Sequence, residues 1–325
     1  MNGWSRHEVA VVAEAVRRAP SVHNTQPWVV EFHDGGIALF ERLDLTLPQH
    51  DPAGRDRLIS CGAALANVVL ALRILGRDTR TSLFPDPLRP DQVARIAVTG
   101  RRQPSTLDRD RYAAIPLRRS HRGPFTGKLV PEDLCHALVS ATAAGGVQVR
   151  PVGRPGETAA VAGLLDHSAL ALRQDRGYQR ELAAWTNDRP DHHPGGGVPT
   201  PTPTYDTLPW AGLVRTTTSL PDLSTLAARL DREHLLLVQT PDDGPADHVH
   251  AGQAVQDTWL AATHAGLAGA VLTQPLHVPE VRAGLIERLG LPGFPQALLR
   301  FGYPAGTTPR SPRVPVADLI REEFP

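Results

Sequence analysis

The strongest constraint on the fold is an internal repeat, carried by two stretches that begin at residues 60 and 250. SCGAALANVVLALRILG is apolar almost all the way round a helix, which is typical of a buried helix, and HAGQAVQDTWLAATHAGLAG predicts a second long helix of low polarity. At a constant offset of 190 residues, Asn67 aligns with Asp257. Five further positions are identical in the two stretches: Gly62 and Gly252, Ala64 and Ala254, Leu70 and Leu260, Ala71 and Ala261, Gly76 and Gly266. The repeat predicts two copies of one α+β unit whose buried helices pack together.

The rest of the pattern divides the chain into an N-terminal half, 1–112, and a C-terminal half, 113–325. In the first half, Ser5 and Glu8 have the capping-box spacing that begins a helix. The β-rich runs WVVEFH and IALFE, joined by DGG, predict a hairpin. The polar run GRRQPSTLDRDR indicates the boundary. In the second half, HLLLVQT and PQALLRFGYP predict strands.

Composition excludes several functional classes. Basic and acidic residues balance at 34 each, so no net charge attracts the protein to nucleic acid or to a membrane surface. The two cysteines, Cys61 and Cys135, are far apart and lack a CxxC partner, as expected of reduced thiols in a cytoplasmic protein. No apolar run follows a basic N-terminus, and no unbroken apolar stretch reaches 18 residues. We therefore expect a cytoplasmic protein with small-molecule ligands only.

Two short clusters combine arginine with serine. In RRSHR, the side chains of Arg118, Ser120 and Arg122 alternate, so an extended backbone would place all three on one face. Such a face suits a phosphate group, which arginine binds with two parallel hydrogen bonds. A second cluster, PRSPR, places Arg310 and Arg313 near the C-terminus. A solvated basic turn remains the alternative interpretation for an isolated cluster of this kind.

The stretch APSVHNTQPW, residues 19–28, offers uncharged hydrogen-bonding groups instead. Ser21, Asn24 and Gln26 can donate and accept hydrogen bonds without charge, as a planar amide-like heterocycle requires. The alternative is an ordinary turn that closes the preceding helix. His23, inside the same stretch, is either a proton donor or a residue that points away.

Other catalytic patterns are weak. DHH, from Asp191 to His193, and DHVH, from Asp247 to His250, could ligate a metal ion, but neither has a matching second pair. Serines lie in no GxSxG motif, and PGGGVP lacks the strand before it and the helix after it that a phosphate-binding loop requires. We expect no metal site and no acid–base triad.

Several of these motifs together resemble one family. APSVHNTQPW resembles the PSxxNxQPW signature of FMN-dependent nitroreductases, and RRSHRGPF resembles their RxSxRxF signature. GLAGAVLTQPL is similar to their segment beside the flavin ring, and LLRFGYP with PRSPR to their C-terminal strand and phosphate-binding end. The two signatures occur here in reversed order, about ninety residues apart, which resembles the Acg-type branch. DPAGRDRLISCGAALAN and LTQPLHVPEVRAGL are also similar to that branch.

The resemblance implies an α+β, nitroreductase-like fold: two tandem units, each with a mostly antiparallel sheet flanked by helices, packed as an internal pseudo-dimer. It implies one FMN between the halves, with NADH or NADPH as co-substrate and hydride transfer through the flavin to a nitroaromatic or quinone. One chain would complete the site, so we expect a monomer, with a homodimer as the alternative. The implied flavin-binding residues are Pro20, Ser21, Val22, Asn24, Gln26, Arg118, Ser120, Arg122, Leu272, Thr273, Gln274, Arg310 and Arg313.

One segment leaves turnover open. Residues 186–209 are rich in proline, glycine and threonine and lack an apolar period. In the Acg-type branch such a segment covers the flavin, and a closed lid would exclude a stacked substrate. The sequence therefore allows an enzyme, a protein that sequesters FMN with little turnover, or a disordered loop without influence on access.

Overall fold

A computed structural model describes residues 3–142, 144–186, 195–198 and 213–321 of the chain. The described helices are α1 (Arg6–Arg17), α2 (Arg55–Ile74), α3 (Thr106–Ala114), α4 (Glu132–Val139), α5 (Glu157–Gln174), α6 (Arg176–Ala184), α7 (Leu223–Leu230), α8 (Pro245–His264) and α9 (Pro279–Leu289). The strands are β1 (Trp28–His33), β2 (Gly36–Glu41), β3 (Arg77–Leu83), β4 (Gln92–Arg101), β5 (Gln148–Pro151), β6 (His234–Thr240), β7 (Ala268–Leu272), β8 (Phe294–Gly302) and β9 (Ile320–Arg321).

These strands form two sheets, the first from the N-terminal half together with β9 and the second from the C-terminal half. The first has the order β3-β4-β2-β1-β9, and the second has the order β5-β6-β8-β7. All neighbouring strands are antiparallel except β1 and β9. The β1–β2 hairpin predicted from WVVEFH, DGG and IALFE is confirmed. The predicted α+β class with mostly antiparallel sheets is therefore confirmed as well.

The first helix begins where the sequence predicts. The backbone N–H of Glu8 donates to the Ser5 hydroxyl at 3.2 Å, and the Glu8 carboxylate accepts from the Ser5 backbone N–H at 2.9 Å. This reciprocal pair satisfies two donors that a helix N-terminus otherwise leaves without partners. Val12 and Val16 then face the core of the first half and are fully buried.

The two halves meet at the repeated helices. Helices α2 and α8 are both 20 residues long and begin 190 residues apart, so the repeat is also a structural one. They cross at Gly62 and Gly252. A Cβ atom added to Gly62 would lie 3.0 Å from the Gly252 Cα, and one added to Gly252 would lie 2.9 Å from the Gly62 Cα. Only glycine allows the two backbones to approach this closely.

The same interface holds a buried polar pair. The Gln256 side-chain amide donates to the Asn67 oxygen at 2.7 Å, and the Asn67 amide donates to the Ala15 carbonyl at 2.7 Å. Helix α2 is long and apolar enough to cross a membrane, but 72% of that stretch is buried inside the protein, as in a core helix. The boundary predicted between residues 112 and 113 falls within α3, which packs on α8, and stays a prediction.

Candidate functional site

A cavity lies between the two halves and is lined by residues of both. Its walls come from the loop after α1, from α2 and α8, from the segment before α4, from β7 and from the C-terminal segment. Eleven of the thirteen predicted site residues lie against it: Pro20, Ser21, Val22, Asn24, Arg118, Ser120, Arg122, Leu272, Thr273, Gln274 and Arg313. The predicted alternation of Arg118, Ser120 and Arg122 thus brings all three to one wall.

The charged wall holds guanidinium groups that the protein leaves partly unsatisfied. Arg118 is only 4% exposed, lies over the Trp259 ring at 4.5 Å, and donates to the Arg18 carbonyl at 3.3 Å. Its Nε and Nη1 atoms, and Nε of Arg122, are buried without a hydrogen-bond partner among the described residues. Since a buried donor without a partner is costly, this wall is suited to an anion with several oxygens.

Burial lowers the pKa values of these arginines, as expected for cations that are removed from water. It lowers the pKa of Arg122 to about 10, and with the charge of Arg18 nearby it lowers the pKa of Arg313 to about 10. Burial and Arg313 lower the pKa of Arg118 as well. A bound anion would reverse these shifts. Arg310 lies instead in an adjoining pocket of about 360 Å³, which it shares with Arg18, Ile115, Arg118, Arg119, Ser120, Ser311 and Arg313.

The uncharged wall is the loop from Pro20 to Asn24. The backbone from His23 to Gln26 is unusual, because His23, Asn24 and Gln26 have positive φ angles of 45°, 57° and 52°. Residues other than glycine hold such angles only where the surroundings impose them. Here the Gln26 backbone N–H donates to the Ser21 hydroxyl at 2.9 Å, and the Val22 N–H to the Ser60 hydroxyl at 3.0 Å.

The amide side chains of this loop are largely engaged with other segments. Asn24 donates to the carbonyls of Gly197 at 3.0 Å and Pro312 at 2.9 Å, while its oxygen accepts from Arg313 at 2.8 Å. Gln26 donates to the Gly195 carbonyl at 2.9 Å and accepts from the Val314 N–H at 3.2 Å. Gln26 is not among the residues that line the cavity. Both amides therefore join the loop to the C-terminal segment and to residues 195–198.

Only part of the predicted lid is described. Residues 187–194 and 199–209 lie outside the described residues, whereas Thr186 and Val198 form a β-bridge in which the Val198 N–H donates to the Trp185 carbonyl at 2.9 Å. Val198 and Leu213 both line the cavity. One described residue inside the segment, Val198, and one just beyond it, Leu213, therefore border the site.

Sequence reasoning missed a buried cluster beside the cavity. The Nε2 atoms of His50 and His277 lie 3.2 Å and 3.0 Å from the same Asp56 carboxylate oxygen. The other oxygen accepts from Arg55 at 3.0 Å. Burial alone would raise the pKa of Asp56, but the charges of His277 and Arg55 hold it well below its usual range. No regular spacing relates these residues, so only the fold could reveal the cluster.

His23 belongs to the same group. Its ring centroid lies 4.6 Å from that of His50, which lies 4.5 Å from that of His277. His23 and Asp56 line the cavity, and His23 is only 6% exposed. Burial, and then the charge of His50, lower the pKa of His23 well below its usual range, so its imidazole is neutral.

His50, Asp56 and His277 have the chemistry of metal ligands, with candidate atoms within 4.8 Å of one another. The Arg55 guanidinium lies 3.5 Å from the His277 Nε2 atom, where its charge opposes a cation. Among the described residues, the His50 Nδ1 atom also has no partner for the second hydrogen bond that usually orients a metal-bound imidazole. We assign no metal here.

The two histidine clusters considered from the sequence give no further candidate. In DHVH, His248 binds Asp243 at 3.0 Å and His250 binds Gln253 at 3.1 Å. DHH lies outside the described residues.

Known proteins resemble this chain along most of its length. It is 32% identical over 320 residues to a Mycobacterium tuberculosis protein provisionally named NAD(P)H nitroreductase Rv3131, covering 96% of this chain and 90% of that one. It is 31% identical over 326 residues to the M. tuberculosis protein provisionally named NAD(P)H nitroreductase acg, with 93% of each chain covered. One solved structure that resembles this chain is the FMN-dependent nitroreductase NfnB from Mycobacterium smegmatis in complex with NADPH. It aligns with 67% of this chain and with all of its own chain, at 17% sequence identity and a TM-score of 0.43. No family model matches the chain.

Proposed function

This chain belongs to the nitroreductase family, in its Acg-type branch, and from that premise we propose that it binds FMN between its two halves and catalyses NAD(P)H-dependent reduction of an electron-poor acceptor. The observation that carries the proposal is the set of buried, unsatisfied guanidinium nitrogens on Arg118 and Arg122. A phosphate monoester carries about two negative charges and three acceptor oxygens, which fit donors of this kind. The proposed cofactor therefore supplies what this wall lacks.

The residues divide into three roles under this proposal. Arg118, Ser120, Arg122 and Arg313 bind the phosphate and ribityl end, and Arg310 adds positive charge from the adjoining pocket. The loop from Pro20 to Asn24 and the segment from Leu272 to Gln274 lie against the flavin ring. Gln26 acts indirectly, because its amide holds the loop to the C-terminal segment.

Bound FMN supplies the redox chemistry, taking two electrons from NADH or NADPH and passing them to a nitroaromatic or quinone. The protein binds and orients the reactants and excludes water from them. Trp259, which lines the cavity beneath Arg118 and is 2% exposed, keeps the phosphate end of the site apolar and dry. Water exclusion strengthens every charge interaction there.

A second function is favoured by the segment beside the site. Residues 195–198 are hydrogen-bonded to Asn24 and Gln26, and Val198 lines the cavity. If this arrangement persists when flavin is bound, a stacking substrate is excluded. The protein would then sequester FMN with little turnover.

One experiment separates the two functions. The purified protein is expected to be yellow with bound FMN, and NADPH or NADH added without oxygen should bleach it rapidly if it is an oxidoreductase. Flavin that stays oxidised would favour sequestration. A colourless protein that takes up no FMN would refute both.

The phosphate assignment has its own test. Arg118→Ala with Arg122→Ala removes charged donors worth about 1.5–3 kcal/mol per hydrogen bond, so we expect FMN affinity to fall at least about 100-fold. The control is Arg150→Ala, because the Arg150 guanidinium pairs with Glu157 at 2.9 Å and neither residue lines the cavity. Unchanged flavin content in the double variant would contradict the assignment.

We also propose that the protein is cytoplasmic, works as a monomer and has small-molecule ligands only. Both walls of the cavity come from one chain, and Cys61 and Cys135 are free thiols. Size-exclusion chromatography with light scattering tests the oligomeric state. A homodimer that loses FMN on dissociation would contradict the monomer.

A further inference from the structure

Two amide side chains of the loop after α1 hold three consecutive residues of the C-terminal segment. The Asn24 amide donates to the Pro312 carbonyl at 2.9 Å, and the Asn24 oxygen accepts from the Arg313 guanidinium at 2.8 Å. The Gln26 oxygen accepts from the Val314 backbone N–H at 3.2 Å. The loop therefore fixes the Arg313 side chain directly and the backbone on both sides of it.

Both amides are held in place by the protein itself. Asn24 is 7% exposed and Gln26 is 1% exposed, and both have positive φ angles, of 57° and 52°. The Gln26 backbone N–H donates to the Ser21 hydroxyl at 2.9 Å, which supports this strained backbone. The Asn24 amide also donates to the Gly197 carbonyl at 3.0 Å, and the Gln26 amide donates to the Gly195 carbonyl at 2.9 Å. Each amide thus already donates and accepts within the protein.

The contacts of Arg313 fix its position but do not neutralise its charge. In the described part of the chain its guanidinium donates to three uncharged oxygens, those of the Asn24 side chain at 2.8 Å, the Ala19 carbonyl at 2.9 Å and the Arg18 carbonyl at 3.5 Å. Burial, and then the charges of Arg18 and Arg119, lower the pKa of Arg313 to about 10. Neutral hydrogen bonds therefore hold a cation against other cations at the wall of the cavity, which suits an anionic ligand group.

We propose that Asn24 and Gln26 make the site specific for a flavin that carries a phosphate, by positioning Arg313 and not by binding the flavin ring. This inference rests on the proposed function, in which Arg313 binds the phosphate end of FMN. Arg313 is the binding residue, and the two amides are positioning residues that act through it. A long side chain that is already ordered loses less entropy when its ligand binds. The amides therefore contribute to the affinity for phosphate without contacting it.

Riboflavin separates this role from contact with the ring. It has the same ring and ribityl chain as FMN but no phosphate. A residue that contacts the ring contributes equally to the affinity for both flavins, and so does a residue that only stabilises the fold around the site. A residue that acts through Arg313 contributes to the affinity for FMN alone. The ratio of the two affinities therefore identifies the role.

The test is titration of the flavin-free, full-length protein with FMN and with riboflavin, followed by the quenching of flavin fluorescence. Asn24→Leu should weaken FMN binding by about 3–10-fold, the cost of ordering one long side chain, and should leave riboflavin binding unchanged. Gln26→Leu should act in the same direction, and circular dichroism verifies that each variant is folded. The matched control is Gln239→Leu, which removes a buried amide that binds Gln148 at 2.9 Å and does not line the cavity. The control should bind both flavins as the wild type does.

A double-mutant cycle tests whether the effect passes through Arg313. Arg313→Leu should weaken FMN binding at least about 10-fold, because it removes charged donors, and should leave riboflavin binding unchanged. Adding Asn24→Leu to that variant should weaken FMN binding no further, because the amide then has no guanidinium to hold.

Three results would overturn the positioning role. They are an equal loss of FMN and riboflavin affinity in Asn24→Leu and Gln26→Leu, unchanged FMN affinity in both variants, and the same loss from Asn24→Leu with and without Arg313. Failure of the proposed function gives a different result. A wild-type protein that binds neither flavin would refute FMN binding and the positioning role together, whereas the three results above, in a protein that binds FMN, would refute the positioning role alone.

Discussion

The crossing of α2 and α8 predicts how the two halves respond to a single added methyl group. In Gly62→Ala, the new Cβ atom would overlap the Val249 carbonyl group and lie 3.0 Å from the Gly252 Cα. In Gly252→Ala, it would overlap the Ile59 carbonyl group, the position equivalent to Val249 in the repeat. Because the obstacle is backbone in both cases, no side chain can turn aside. The helices must separate instead.

The expected cost follows from two opposing effects. Overpacking a tight interface costs about 1–3 kcal/mol, with the upper end expected here because the backbone must move. Alanine gains up to about 1 kcal/mol over glycine in a helix interior. The net loss is about 2 kcal/mol, which for a chain of this length lowers the melting temperature by about 3 °C. Because the two environments are related by the repeat, both variants should lose the same amount.

Urea unfolding followed by circular dichroism measures the loss. The control is Gly163→Ala in the interior of α5, where an added Cβ would find only the Arg288 guanidinium, at 3.8 Å. That substitution should stabilise the protein by up to about 1 kcal/mol. If Gly62→Ala or Gly252→Ala were as stabilising as the control, the close crossing would be refuted.

Two further predictions concern buried ionisable groups. Burial, and then the charge of Asp56, raise the pKa of Asp51 to about 6 from a usual value near 4. Between these pH values the folded state holds a proton that the unfolded state has released. The free energy of unfolding therefore falls as the pH rises from about 4 to about 6. Asp51→Asn should remove this loss, so the free energy of unfolding should rise by roughly 2–3 kcal/mol at pH 7 and not at all at pH 3.5. Equal increases at both pH values, measured by urea unfolding, would contradict this prediction. Arg300 is fully buried and binds both carboxylate oxygens of Glu233 at 2.6 Å. Glu233→Gln should therefore lower the free energy of unfolding by about 3–5 kcal/mol. The double variant with Arg300→Met should recover most of that stability. A loss below about 1 kcal/mol for Glu233→Gln would show that the pair is not effectively buried.

The sequence predicted the fold where local patterns and the repeat agree. The capping box at Ser5 and Glu8, the β1–β2 hairpin and the equivalence of α2 and α8 all follow from short-range spacing or from residue identity at a fixed offset. The wall formed by Arg118, Ser120 and Arg122 was predictable for the same reason, because alternation along an extended chain determines which side chains share a face.

Long-range contacts were not predictable in this way. Gln26 belongs to the same motif as Ser21, yet its amide binds Gly195 and Val314 from distant segments. The buried cluster of His50, Asp56 and His277 combines residues from a loop, a helix start and the turn after β7, and no regular spacing between them predicts it. Only tertiary packing places such groups together.

The pairing of β9 with β1 has a consequence for the order of folding during synthesis. Ile320 lies beside Val30 and Arg321 beside Glu31, although nearly the whole chain separates them. A ribosome therefore completes the strands β1 to β4 long before the strand that covers the edge of β1. Until then that edge presents free backbone donors and acceptors to other nascent chains. Pairing with β9 therefore covers Val30 and Glu31 on that edge only after residues 320 and 321 have been made.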